Sequence, residues 1–274
     1  MLPYPEIDPV ALSLGPLKIH WYGIMYVLAF AFAWRLALRS SQRPWSPIKK
    51  AQIEDLIVYG AFGVILGGRF GYMLFYSADK WLSDPAMLLR IWEGGMSFHG
   101  GLIGVTLAIL IYGRKYQIPF LSLADFVAPL VPAGLFFGRM GNFIGQELYG
   151  RPTDVPWAMV FPSDPEQLPR HPSQLYEAAL EGLVLFFIVN LYARKPRLYG
   201  SVAGMFLIFY GIFRFSVEFV RQPDAQFAGQ SALLESFNWM TRGQTLCIPM
   251  IVLGLWFMRG TLKKLVNKST MESH

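Results

Sequence analysis

A single cysteine, Cys247, in 274 residues excludes an intrachain disulfide and any metal centre built on thiolates. It lies inside an apolar run, where a thiolate is disfavoured, so it makes a poor nucleophile and reads as small apolar filler. Charge is scarce as well. Only 15% of residues are charged against 54% apolar, whereas a soluble domain carries about 25% charged residues. There is no long polar linker, low-complexity tract or internal repeat, and one domain over residues 1–274 is expected. Met1–Lys18 has neither a basic n-region nor an apolar core and is interrupted by Pro3, Pro5, Pro9 and Pro16. No cleavable signal is expected there, and the first apolar run must itself direct insertion. His-Glu-x-x-His is missing, as is any carboxylate-rich repeat, so no metal site is expected.

What the chain has in quantity is long uncharged runs, which read as membrane-spanning helices when they reach about 18 residues. Seven are expected: Ile19–Leu38, Gln52–Tyr76, Met96–Tyr112, Phe120–Gly138, Ser173–Tyr192, Gly200–Phe219 and the shorter Thr245–Met258. The fold class is therefore an all-α polytopic membrane protein. A net charge of +6 invites a nucleic-acid reading, which the distribution of charge rejects. Fourteen basic residues follow spans one, three, five and seven, among them Arg35, Arg39, Arg114, Lys115, Arg194, Lys195, Arg259 and Lys263. Eight lie on the opposite side: Lys18, Lys80, Arg90, Arg139, Arg151, Arg170, Arg221 and Arg242. This alternation predicts an external N-terminus and a cytoplasmic C-terminus. No nucleic-acid partner is expected.

That topology gives the unusual polar residues a depth. His99 falls near the outer end of span three, between Gly94-Gly95 and Gly100-Gly101. Arg139, Asn142 and Glu147 follow the outer end of span four, and His171, Gln174, Tyr176, Glu177 and Glu181 open span five from outside. Arg69 is in the outer half of span two, while Asp125 alone is nearer the inner surface. In span six, at about 100° per residue, Tyr210, Arg214, Glu218 and Arg221 fall at roughly 0°, 40°, 80° and 20°. They form one polar stripe, with Arg214 about 10 Å deeper than Arg221. Snorkelling and an Arg214–Glu218 ion pair are the simplest account. Intramembrane arginines, however, mark functional sites by default. A guanidinium fork binds phosphate oxygens bidentately and keeps its charge when buried. Arg139 and Arg214 are thus candidate clamps for an anionic headgroup, or partners for Glu147, Glu177 and Glu218, or both. His99 is either a helix-packing residue or a group able to take a proton near neutrality.

Other activities fit less well. The residues around Ser97 read Gly95-Met-Ser-Phe, without the Gly-x-Ser-Gly pattern of a hydrolase. A transporter would show repeats or broken helices near the midplane. A protein that binds or flips phospholipid would use the same arginines without making a bond.

His99-Gly-Gly-Leu-Ile-Gly104, Gly138-Arg-Met-Gly-Asn-Phe143, Glu147-Leu-Tyr-Gly-Arg151 and His171-Pro-Ser-Gln-Leu-Tyr-Glu177 resemble segments of the bacterial prolipoprotein diacylglyceryl transferases. So do Trp21-Tyr-Gly23 and Arg214-Phe-Ser-Val-Glu-Phe-Val-Arg221. The likeness runs in order through nearly the whole chain. It departs at Gly145-Gln146, where the family often has asparagine at the first position. The resemblance implies a seven-helix inner-membrane enzyme. Such an enzyme moves the diacylglyceryl group of phosphatidylglycerol onto the lipobox cysteine of a preprolipoprotein, forming a thioether and releasing glycerol phosphate. No metal or organic cofactor is implied. Matching positions are Tyr22, His99, Asp125, Arg139, Asn142, Glu147, Gly150, Tyr210, Arg214, Glu218 and Arg221. His99 is expected as the thiol base, or as a residue that orients lipid or peptide. Arg139 and Arg214 would stabilise the departing phosphate. Tyr22, Asn142, Glu147, Gly150, Tyr210, Glu218 and Arg221 would line the substrate site, with Gly150 permitting close backbone packing. Asp125 is expected to fix helix packing. Residues 141–172, with six prolines, are expected as a small extracytoplasmic cap that receives the signal peptide.

Overall fold

A computed structural model of the chain describes residues 1–5, 7–15, 17–90, 94–222 and 240–272; Pro16, one of the expected breakers, lies outside them. Among the described residues, three helical segments are long and apolar enough to cross a membrane: Trp21–Ser41, Lys50–Tyr76 and Ser173–Tyr192. A fourth is added if Phe120–Val127 and Val131–Ile144 count as one broken span. The other expected spans fall on helices that are shorter or more polar. The chain divides into two compact units, Met1–Leu36 with Val127–His274, and Ala37–Phe126.

The second unit is built on α2 (Ile53–Tyr76) and α4 (Phe98–Tyr116), with the short α3 (Ala78–Ser83) between them in sequence. α2 and α4 touch backbone to backbone. A Cβ placed on Gly67 would stand 2.4 Å from the Gly100 carbonyl oxygen, and one on Gly104 only 2.0 Å from that of Gly63. Small residues at such spacing let membrane helices approach closely. Ser97 caps α4, its hydroxyl accepting from the Gly100 amide at 3.2 Å. That use as a cap accounts for Ser97 without any nucleophilic role. The buried Arg69 donates to the carbonyls of Met87 (2.5 Å), Arg90 (2.8 Å), Gly95 (3.2 Å) and Gly94. It organises the backbone that leads into α4, a role its depth alone did not indicate. At the other end Lys115 pairs with Asp55 at 2.7 Å.

The first unit begins with an antiparallel hairpin, β1 (Val10–Leu14) and β2 (Leu17–His20), leading directly into α1 (Trp21–Ser41). With a second ladder, β3 (Met159–Val160) on β4 (Pro169–Arg170), it is a departure from an all-α chain. Both ladders lie in proline-rich segments where helix cannot propagate. The fourth expected run, Phe120–Gly138, is broken. α5 (Phe120–Val127) stops before Pro129, and α6 (Val131–Ile144) restarts with Pro132 in its first turn. Proline has no amide to donate and favours that first-turn position. Asn190 donates to the Pro129 carbonyl at 2.9 Å, satisfying the backbone at the break. α6 then runs past Gly138, so Arg139 and Asn142 sit on the helix itself rather than beyond its end; only Glu147 follows it. The fifth run comprises α7 (Ser173–Glu177), a π-helical stretch Ala178–Val184, and α8 (Leu185–Tyr192). Gly182 lies against Phe136 of α6, where an added Cβ would stand 2.7 Å from the Phe136 Cβ. α9 (Ser201–Val217) packs on α10 (Arg242–Glu272).

The segment after α6 folds around a hydrophobic cluster of Tyr4, Phe143, Met159 and Phe161. The Tyr4 hydroxyl donates to the Phe143 carbonyl at 2.8 Å. The buried Asp164–Arg170 pair (2.6 Å) closes the segment, with Arg170 lying over the Tyr149 ring at 5.0 Å. Arg170 beside it holds the Asp164 carboxyl below the usual carboxylate range.

Candidate active site

Three guanidinium groups, from α6, from α9 and from the chain just beyond α9, meet on one carboxylate. Glu177, wholly buried at the end of α7, presents Oε2 to Nε of Arg139 on α6. Its other oxygen, Oε1, faces Arg214 Nη1 of α9 at 3.0 Å and Arg221 Nε at 3.4 Å. Arg214 also donates to Glu218 Oε2 at 2.7 Å. The expected Arg214–Glu218 pair therefore forms, but as one edge of a larger network. α9 ends at Val217. Arg221 nevertheless keeps its place on the stripe because its amide still bonds the Val217 carbonyl at 3.0 Å. Glu218 in turn accepts from the Thr241 hydroxyl at 3.0 Å, and Gly243 of α10 lies directly against its carboxylate.

Arg139 extends the network outward along α6. It donates to Asn142 Oδ1 at 3.3 Å, and the Asn142 amide reaches Glu147 Oε2 at 3.5 Å. The Glu147 backbone is itself fixed: its amide bonds the Asn142 carbonyl at 2.9 Å, and its carbonyl accepts from Gln174 at 2.7 Å. Tyr22, at the start of α1, lays its ring against Gly141, where a Cβ would stand 2.8 Å away. Its hydroxyl is 3.4 Å from that of Tyr26. Tyr210 stacks on Phe206 and lies within electrostatic reach of Glu181, Arg214 and Arg139.

Gly150 acts through backbone. Its amide donates to the His171 carbonyl at 2.9 Å, and it forms an isolated bridge with Arg221. A Cβ there would meet the Val220 carbonyl oxygen at 2.5 Å, so only glycine fits this approach. Arg151 continues the join, its Nε donating to the Arg221 carbonyl at 3.0 Å. Gly150 thereby fixes the chain that carries Arg221.

Tyr22, Arg139, Asn142, Glu147, Gly150, Tyr210, Arg214, Glu218 and Arg221 all belong to the first unit. His99 belongs to the second. It stands exposed in the first turn of α4, with its ring edge-on to Phe98 at 5.6 Å. Asp125, half-buried on α5, is also in the second unit. Among the described residues no three His, Cys, Asp or Glu side chains group as a metal site.

Sequence reasoning placed Glu177 and Glu181 on the same leaflet and offered Glu177 as a partner for the arginines, but put neither among the catalytic or substrate-binding residues. The signal was present, since two carboxylates four residues apart in an otherwise apolar run need cations from elsewhere. Arg139, Arg214 and Arg221 carry three positive charges, and Glu177, Glu181 and Glu218 three negative ones. A buried network of this kind holds only while each charge keeps partners. The same donors that grip Glu177 have the fork geometry that phosphate oxygens use.

A sequence profile described as Prolipoprotein diacylglyceryl transferase matches residues 9–259. The chain is 57% identical over 260 residues to the phosphatidylglycerol–prolipoprotein diacylglyceryl transferase of Pseudomonas putida strain W619, covering 94% of this chain and 95% of that one. It is 58% identical over 257 residues to the protein of the same name from Pseudomonas putida KT2440, covering 93% and 94%. To that of Ectopseudomonas mendocina it is 56% identical over 264 residues, covering 96% and 97%. With both the profile and relatives of this identity spanning nearly its whole length, the chain belongs to the prolipoprotein diacylglyceryl transferase family.

Proposed function

We propose that this enzyme transfers the diacylglyceryl group of phosphatidylglycerol to the lipobox cysteine thiol of preprolipoproteins, forming a thioether and releasing glycerol phosphate. This is the first step of lipoprotein maturation. The observation that carries the reading is the meeting of Arg139, Arg214 and Arg221 at Glu177, which gathers donors suited to one phosphodiester. In this reading the chain crosses the bacterial inner membrane seven times, N-terminus outside and C-terminus in the cytoplasm. The site opens to the extracytoplasmic leaflet, and residues 141–172 form the cap that receives the signal peptide.

The chemistry is a displacement at carbon. His99 takes the thiol proton. The thiolate attacks the glycerol carbon that bears the phosphate ester; the S–C bond forms as the C–O bond breaks, and the bonding pair goes to the phosphate oxygen. Arg139 and Arg214 stabilise that developing charge, the kind of electrostatic help worth about 10²–10³ in rate per donor. Asn142, Glu147, Glu218 and Arg221 orient the two arginines, Tyr22 and Tyr210 border the lipid, and Gly150 holds the Arg221 chain in place. The nucleophile comes from the peptide, so the buried Cys247 takes no part.

Purified protein given phosphatidylglycerol and a lipobox peptide should lipidate the cysteine and release glycerol phosphate, and a Cys→Ser peptide should not react. Equal modification of the serine peptide defeats the thiol mechanism, and headgroup binding without covalent product turns the reading to a lipid-binding or flipping protein. His99→Gln should abolish turnover while leaving headgroup binding intact; loss of binding as well would move His99 into the headgroup pocket.

A further inference from the structure

Glu181 differs from every other carboxylate in the cluster. Its side chain is wholly buried, and neither oxygen has a hydrogen-bond donor among the described residues. The closest cation, Arg214 Nη1, is 3.9 Å away, beyond hydrogen-bond range. By contrast Glu177 holds three arginines, and Glu218 is bonded by Arg214 and Thr241. The backbone around Glu181 is π-helical, a rare geometry that collects at functional sites. A buried polar atom without a partner calls for a reason.

Charge balance supplies one. Three guanidiniums and three carboxyl groups stand together in a largely buried cluster. An entering phosphodiester adds one negative charge, and uncompensated charge is what such surroundings penalise most. The groups that face Glu181 are Glu177 on α7, Arg139 on α6, Arg214 and Tyr210 on α9, Arg221 beyond it, and Cys247 on α10. Arginine keeps its proton, and Glu177 and Glu218 already have donors on their oxygens, which leaves the Glu181 oxygens as the ones open to a proton. We propose that Glu181 takes up one proton when an anionic phosphodiester headgroup binds the arginine cluster, so that headgroup occupancy and proton uptake are a single coupled event. The proton comes from solvent and forms an O–H bond on a carboxylate oxygen; no other bond changes. This inference rests on the headgroup reading above.

The test uses the full chain in nanodiscs of zwitterionic lipid, titrated with glycerophosphoglycerol, a soluble phosphodiester with no group of its own that titrates near neutrality. Calorimetry in two buffers of different ionisation enthalpy reads the protons exchanged. The wild type should take up about one proton per headgroup bound, and its dissociation constant should rise with pH, by up to tenfold per unit, over the range in which that proton is taken up. Glu181→Gln should bind without proton uptake, show a flat pH profile, and at about pH 9 bind at least as tightly as the wild type. Glu181→Met serves if the glutamine variant does not fold. Saturable binding by the wild type with no proton uptake overturns the coupling, and so does uptake that persists in the variant. A wild type that does not bind at all overturns the headgroup reading itself, and the coupling falls with it.

Discussion

Arg139 and Arg214 hold opposite oxygens of one carboxylate, so the shape of the cation matters as much as its sign. Arg139→Lys keeps the charge and loses the fork. Turnover of a lipobox peptide should fall about 10²–10³-fold, with unchanged membrane yield; a mass-spectrometric lipidation assay at saturating lipid checks it, and near-normal turnover would reduce Arg139 to a membrane-surface anchor. How much of this the sequence revealed depends on where each partner lies. The Tyr210–Arg221 stripe was legible because one continuous stretch, α9 and the turn that follows it, carries it and its spacing is arithmetic. The convergence on Glu177 was not, since α6, α7 and α9 leave no mutual spacing in the chain. Arg69 was illegible for a related reason: its partners are carbonyls of irregular backbone, which no residue type announces.

Among the elements, the contact of α2 with α4 is the most sensitive to a single methyl group. Gly104→Ala puts a carbon 2.0 Å from the Gly63 carbonyl oxygen and should destabilise the pair by about 1–3 kcal/mol, read as a lowered melting temperature in detergent. The segment after α6 answers instead to acid. Arg170 depresses the folded pKa of Asp164, so the pair stabilises fully above the unfolded value of about 3.9. That contribution is lost as pH falls through the folded value. Amide protection at Glu166 and Leu168, whose amides bond Asp164 at 3.2 Å, should therefore drop on acidification below about pH 4. Asp164→Asn should show the weaker protection already at neutral pH and change no further. The break between α5 and α6 could be read from Pro129 and Pro132 once helix continuity was in question. The π-helical turn had no such marker, because Ala178–Val184 contains only residues that an ordinary helix accepts.

For the whole molecule, the apolar runs carried the membrane-helical character, and the ordered motifs pointed to the family that the comparison with relatives shows. The proposed orientation is open to direct test because Cys247 is buried and can be removed. In a Cys247→Ala background, Asp154→Cys should react in intact cells with a thiol reagent that cannot cross the membrane, and Lys195→Cys should react only after lysis; both positions are exposed. The reverse pattern would invert the topology. The shared grip on Glu177 also bears on how the protein is made. A lone arginine at the bilayer centre carries an insertion penalty of roughly 2.5–3.5 kcal/mol, an upper bound for arginines nearer the outer surface, and α6 brings Arg139 before the Glu177 of α7 follows it in the chain. Biogenesis must then shelter α6 until the two have met. A chain in which they fail to meet would expose unmatched cations to lipid, which gives cellular surveillance a ready mark of incomplete assembly.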